Sequence, residues 1–195
     1  MTKWRLFYVL AMIIVIVGAA AIAGDNNKKT SETAMSDLGP MGAPPEMKML
    51  AGLAGEWDVE MSWKMDPASE DWMGSRGKAV FMSVLDGCGM HQTYKETDPE
   101  TDFQGSGMMA YNRETGKWQS IWMDNMTAAI SYYQGDFKDG ALVVSGEDYW
   151  NGMKYISRIT TKNITENKFD WIFEMSLDEG QTFTTMGKCI YTRAK

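Results

Sequence analysis

Histidine occurs once and cysteine twice in this sequence, which removes most metal and nucleophile chemistry at the outset. A structural zinc site needs four Cys or His ligands, usually with a Cys-x-x-Cys step, and two distant thiols cannot supply it. No His-Glu-x-x-His, Gly-x-Ser-x-Gly or phosphate-binding loop is present. No catalytic residue, metal or cofactor is therefore expected from motif. Basic residues are also few, 19 Lys and Arg against 26 Asp and Glu, for a net charge of −7. Nucleic acids and anionic membranes are bound through basic faces, and this chain offers none.

Long apolar runs are missing everywhere but the start. There Lys3 and Arg5 precede an apolar stretch from Leu6 to Ala23, which ends in Ala21-Ile22-Ala23 before Gly24. A basic start, an apolar middle and a small-x-small end make up an export signal. The run is also near the lower bound for spanning a bilayer. Residues 1–23 are thus read as a cleaved signal or, alternatively, as an uncleaved anchor. In both cases the remainder is expected outside the cytoplasm, periplasmic or secreted, with membrane contact only through residues 6–23 of an uncleaved chain. Loss of Lys3 and Arg5 with that segment would take the net charge from −7 to −9. Residues 24–45, rich in Asp, Asn, Lys, Ser, Gly and Pro, predict a flexible linker. The folded domain is placed at 46–195.

What the chain has in quantity is alternation. Trp57-Asp58-Val59-Glu60-Met61-Ser62-Trp63-Lys64-Met65-Asp66 switches between apolar and polar at every step. Strand side chains point alternately to opposite faces, so this is a half-buried strand with one wet side. The pattern predicts strands near 56–65, 77–86, 89–96, 103–112, 117–124, 129–137, 141–150, 153–162, 168–176 and 182–193. Turn signals such as Asp139-Gly140 and Asn151-Gly152 separate them. With no helix between strands, a parallel sheet is excluded and an all-β antiparallel meander is expected. Ahead of it, Pro44-Pro45 and residues 46–54 read as a short helix with Met47, Leu50 and Ala54 on one face. Gly105 and Gly107 interrupt an otherwise aromatic strand face, as at a sharp bend or a close backbone approach.

The interior is expected to be aromatic and Met-rich, the eighteen methionines serving as flexible filler. Met47-Lys48-Met49 and Met108-Met109 come nearest to a thioether cluster for a soft metal. Cys88 and Cys189 form either a disulfide, as exported chains favour, or two unpaired core thiols.

Leu53-Ala54-Gly55-Glu56-Trp57 resembles the Gly-x-Trp opening of lipocalin-like (calycin) barrels. Val84-Leu85-Asp86-Gly87, Gly107 through Tyr111-Asn112 to Thr115-Gly116-Lys117-Trp118, Trp122-Met123-Asp124-Asn125-Met126 and Tyr191-Thr192-Arg193 extend the likeness. Together these segments resemble the bacterial domain-of-unknown-function family 1579, from about residue 47 to 194. The resemblance implies a single up-and-down barrel of about ten strands. It further implies that Trp57 closes one end under Arg193 from the last strand. It brings no established activity. Related ten-stranded barrels of the nitrobindin type hold haem through a late His, and here His91 stands on the third predicted strand instead.

Two functional classes stay open. A binding protein would hold a small apolar or amphipathic ligand against Trp63, Met109, Tyr111, Trp122, Tyr132, Trp171 and Phe173. An enzyme would work at the barrel mouth with His91 or Asp124 as acid–base group, Asp124 being in phase with Trp118 and Trp122. A structural envelope protein with a solid core is the third alternative.

Overall fold

The computed structural model describes residues 41–98, 101–150 and 152–195. The export segment, most of the linker, and Pro99 and Asn151 of two predicted connections lie outside the described residues.

Ten strands follow one another: β1 (Gly55–Trp63), β2 (Met73–Val84), β3 (Gly89–Glu96), β4 (Gln104–Asn112) and β5 (Lys117–Asp124), then β6 (Ser131–Lys138), β7 (Ala141–Trp150), β8 (Met153–Lys162), β9 (Lys168–Ser176) and β10 (Thr184–Arg193). Each pairs antiparallel with its neighbours in sequence, and β1 pairs with β10 to close the barrel. Closure leaves no edge strand with unpaired backbone groups. The alternation read from the sequence is the inside–outside alternation of this wall. Trp57 and Val59 are buried while Asp58 and Glu60 are exposed. A bulge between Thr185 and Gly187 on β10 shifts the register against β9.

Three features differ from expectation. The strand predicted from residue 77 begins at Met73, because Gly74 to Arg76 continue the ladder opposite Ser62 to Glu60. Met73 and Gly74 are exposed and carry no periodic signal. The expected helix is two 3-10 turns, Pro45–Met49 and Ala51–Leu53. Three residues per turn bring Leu53 into the core with Met47 and Leu50, and Ala54 packs against it half-buried. The Met-rich interior is corrected as well. Of the described methionines, Met47, Met90 and Met186 are buried, whereas nine, including Met82, Met108, Met123 and Met126, are exposed. Aromatic rings fill the inside, and most Met side chains fall on outward strand positions or loops.

The 3-10 turns cover the end of the barrel where β1 starts. Leu50 and Leu53 are fully buried there with Trp57 and Phe169. The Trp57 indole N–H donates to the Leu53 carbonyl at 2.8 Å. Phe169 meets Trp57 edge-on at 4.7 Å and stacks on Tyr191 at 4.2 Å. Arg193 lies over the Trp57 indole at 4.3 Å, a cation–π contact. Its guanidinium donates to the carbonyls of Gly52, Ala54 and Glu166, joining the helical turns to the β8–β9 connection. Gly55, at φ +131°, leaves the space that the Arg193 guanidinium occupies.

Candidate functional site: a cavity open at one end

Above this closed end the barrel is hollow. A cavity of about 400 Å³ runs from Leu53, Phe81, Phe169 and Tyr191 at the floor to the β5–β6 connection. Thr127, Ala129 and Tyr149 belong to its wall and are exposed, so the cavity reaches solvent on that side. Its middle is apolar, formed by Met61, Met109, Trp122, Leu142, Val144, Ile159, Trp171 and Phe173.

Glycine helps to make the space. The Trp122 ring lies directly on Gly105 and Gly107, where a Cβ at Gly107 would come within 3.0 Å of the ring and 2.5 Å of the Ile121 carbonyl. The paired glycines thus mark a close approach of an indole to backbone. On the adjacent strands β3 and β2, Tyr94 folds over Gly77, its hydroxyl 2.5 Å from where a Cβ would stand. The Tyr94 and Ser75 hydroxyls are buried, and neither closes a hydrogen bond of normal geometry. Burial pushes the Tyr94 phenol well up, helped by the charge of Glu96, and the nearby Ser75 hydroxyl offsets little of it. Lower down, the Gln92 amide donates weakly to the Tyr191 hydroxyl at 3.4 Å. Burial raises Tyr191 and holds the Cys189 thiol up at about 12, so the floor stays neutral across the physiological range.

The mouth is different. Along the upper ends of β5 to β8 stand Asp124, Ser131, Asp148 and Tyr155, with Tyr133 just below. Asp124 is fully occupied. One oxygen accepts the Trp122 indole N–H at 3.0 Å, and the other accepts from the Met126 N–H, the Thr127 N–H and the Thr127 hydroxyl. It therefore ties down the β5–β6 connection and orients Trp122. Asp148 accepts only the Ser131 hydroxyl and the backbone N–H of Tyr149. It sits opposite Tyr155 in the β7–β8 ladder. Burial raises the Tyr155 and Tyr133 phenols, and the Asp148 charge adds to each.

Not all residues expected to line a pocket do so. Met109, Trp122, Trp171 and Phe173 form part of the cavity wall; Trp63, Tyr111 and Tyr132 do not. Tyr132 points outward and is 47 % exposed, and its neighbour Tyr133 holds the inward position. Tyr111 packs edge-on against Trp118 at 5.5 Å, at the closed end where β4 finishes and β5 begins. Trp63 ends β1 at the rim, where it pairs with Met73 and Gly187. Of the two alternatives for Cys88 and Cys189, the structure has the unpaired one: both are free thiols, Cys189 buried and Cys88 half-buried. Cys88 follows the short turn joining β2 to β3, while Cys189 lies within β10 opposite Met61 and Trp171.

His91 is on the outside of the barrel, in a cross-strand row with Met82 and Met108. Its Nε2 is 2.8 Å from the Ser106 hydroxyl, which itself donates to the Gln92 carbonyl. Arg158, a conceivable partner for Asp124, instead forms a two-pronged pair with Glu174 at 2.7 and 2.9 Å, with its guanidinium over Phe183. Among the described residues no cluster of His, Cys, Asp and Glu is arranged to hold a metal ion.

The polar mouth sector went unread in the sequence. Counting by twos from the apolar Leu142 and Val144 leads through Gly146 to Asp148, so the phase was available. The Ser145-Gly146-Glu147-Asp148 stretch is polar or small on both faces and hides it.

A closed antiparallel barrel of ten strands, capped at one end and hollow toward the other, is a lipocalin-like barrel. The chain belongs to the family described as protein of unknown function (DUF1579), which it matches over residues 43–193. Its fold is similar to Rv2717c from M. tuberculosis, with a TM-score of 0.54 and 10% identity over 78% of this chain and 99% of that one. It is also similar to the S-type phycobiliprotein lyase CPES from Guillardia theta, with a TM-score of 0.51 and 12% identity over 76% and 92% of the two chains. At such identities the likeness is one of fold alone. No curated protein matches the chain.

Proposed function

We propose that this protein is an exported, non-catalytic binding protein that takes a small apolar or amphipathic molecule into its barrel. The observation that carries this reading is the cavity of about 400 Å³, apolar through its middle and open at one end. Ligand pockets fall at about 300–1,000 Å³, with apolar walls and few polar groups. A solid core, as a purely structural barrel would have, is not what these side chains build. The enzyme reading loses both its acid–base groups: His91 faces outward, and Asp124 already accepts four hydrogen bonds. Met126, Ile130, Tyr149, Met153 and Leu177 are exposed on the loops and strand ends of the open side, which suits entry of an apolar molecule. Export rests on the Lys3, Arg5 and 6–23 pattern, which would deliver the barrel to the periplasm or the medium.

Native mass spectrometry of the protein recovered from its own cell envelope tests both parts. A bound small molecule that leaves on solvent extraction, on a chain lacking residues up to about Ala23, is the expected result. Protein that is always empty and fails to take up any neutral apolar probe contradicts the binding reading. Protein found only in the cytosol contradicts export.

A further inference from the structure

The proposed ligand has a polar end, and the charge of that end is written in the mouth. Among the residues that line the cavity, the charged ones are Asp124 and Asp148; no Lys, Arg or His is among them. Asp124 has used its acceptor capacity within its own loop. Asp148 has not. A carboxylate offers about four lone-pair sites, and Asp148 fills two of them, with the Ser131 hydroxyl and the Tyr149 N–H. No ion pair reaches it among the described residues. The neighbouring Tyr133 and Tyr155 rings add aromatic faces and hydroxyls on the same side. On β3, in one ladder row with Gly105 and Asp124, the Tyr94 hydroxyl is buried on the inner side of Gly77 without a partner.

Resting on the binding reading, we infer that the ligand is an amphipathic molecule with a cationic, hydrogen-bond-donating head, a protonated amine. Its tail would lie among Trp122, Val144 and Trp171, and its head would donate to Asp148 beside Tyr155. A charge-assisted hydrogen bond is about twice as strong as a neutral one, and aromatic faces attract cations. A fatty acid meets the opposite situation. Its carboxylate would enter a mouth that already carries two negative side chains and no cation, and like charges brought together in a half-buried site repel. The cavity therefore discriminates by head-group charge at constant tail length.

Decylamine, decanol and decanoate share one tail and differ in the head. Each is titrated into the full domain at pH 7 and low salt, below its aggregation threshold, with tryptophan fluorescence and calorimetry as readouts. Decylamine is expected to bind about tenfold or more tighter than decanoate, with decanol between. Asp148→Asn should remove most of that advantage and leave decanol unchanged. Asp58→Asn, which makes the same charge change on the outer wall where Asp58 pairs with Lys78, should leave the order intact. Equal affinity for all three, or tighter decanoate, overturns the head-group inference and leaves the binding reading standing. No binding of any of the three, decanol included, overturns both. Should Asp148→Asn fold poorly, raising salt on the unaltered protein gives the same answer: the decylamine advantage must shrink while decanol stays constant, and a salt-independent advantage contradicts the role of Asp148.

Discussion

The two ends of this barrel are built from the same strands and do opposite things. At the closed end aromatic rings touch one another, hydrogen bonds are internal, and Arg193 spends its donors on three backbone carbonyls. At the open end rings face a void, Asp148 keeps unused acceptor capacity, and loops carry exposed Met, Ile and Leu. Stability is concentrated where the interior is dry and filled. Open space is left where it is not. A barrel can afford this division because its ladder is continuous around the whole circumference, so an unfilled end still has paired backbone.

Substitutions at the closed end should cost the most. Trp57→Ala removes a fully buried indole together with its bond to Leu53. It should lower unfolding free energy by about 3–5 kcal/mol in denaturant titrations. Arg193→Ala strips three carbonyls of their donor and Trp57 of its cation, with an expected loss of about 2–3 kcal/mol. Lys at that position should rescue little, since it cannot fork between carbonyls. At the open end, Gly105→Val would drive a side chain into the Trp122 ring. A loss of about 1–3 kcal/mol is expected, with a shift in tryptophan emission and weakened uptake of apolar probes. A larger loss at Gly105 than at Trp57 would invert the comparison.

Titration acts more gently, and with the same sign at both ends. The Cys189 thiol is raised by burial from its model-compound 9.0 to about 12 in the folded chain. Folded protein therefore holds this proton where unfolded protein has lost it. Its contribution is intact below about pH 9 and is lost as pH climbs toward 12, at a slope no greater than about 1.4 kcal/mol per pH unit. The raised phenols of Tyr94, Tyr155 and Tyr191 act in the same direction. In the native state a thiol reagent should label half-buried Cys88 and spare Cys189, both reacting after unfolding. Smallest of all, Asp148→Asn should change stability by about 1 kcal/mol or less, since the Asn carbonyl keeps one of the two hydrogen bonds of this half-buried side chain. That near-silence would sharpen the contrast, because the same change is expected to alter ligand preference.

Alternation along β1 and β9 makes the barrel and its closed end readable from sequence, because there large apolar side chains line the inner face and mostly polar ones the outer face over several residues in succession. Legibility failed where that contrast weakens. Tyr132 and Tyr133 are adjacent and identical, so composition cannot say which one enters the barrel; the pairing of Trp118 with Gly135 fixes the phase. β2 lost its first four residues because Gly74 and Ser75 announce neither face. Methionine misled in the opposite sense, being counted as interior by chemistry while Met82, Met108 and Met123 occupy outward positions. Asp124 was correctly in phase with Trp122, yet phase does not reveal that a loop consumes its lone pairs. Hydrogen bonds across a turn, and the void itself, exist only once ten strands have closed.

The central claim is that the open half of the barrel is a binding cavity, and filling it tests that claim most directly. Val144→Trp places a large ring into the space from a buried position on β7. Decanol titrated into the unaltered and filled proteins, with thermal unfolding measured alongside, should show binding to the first and loss of binding by about tenfold or more in the second, while both unfold cooperatively at similar temperatures. Undiminished decanol binding by a folded Val144→Trp barrel would place the ligand elsewhere and contradict the account.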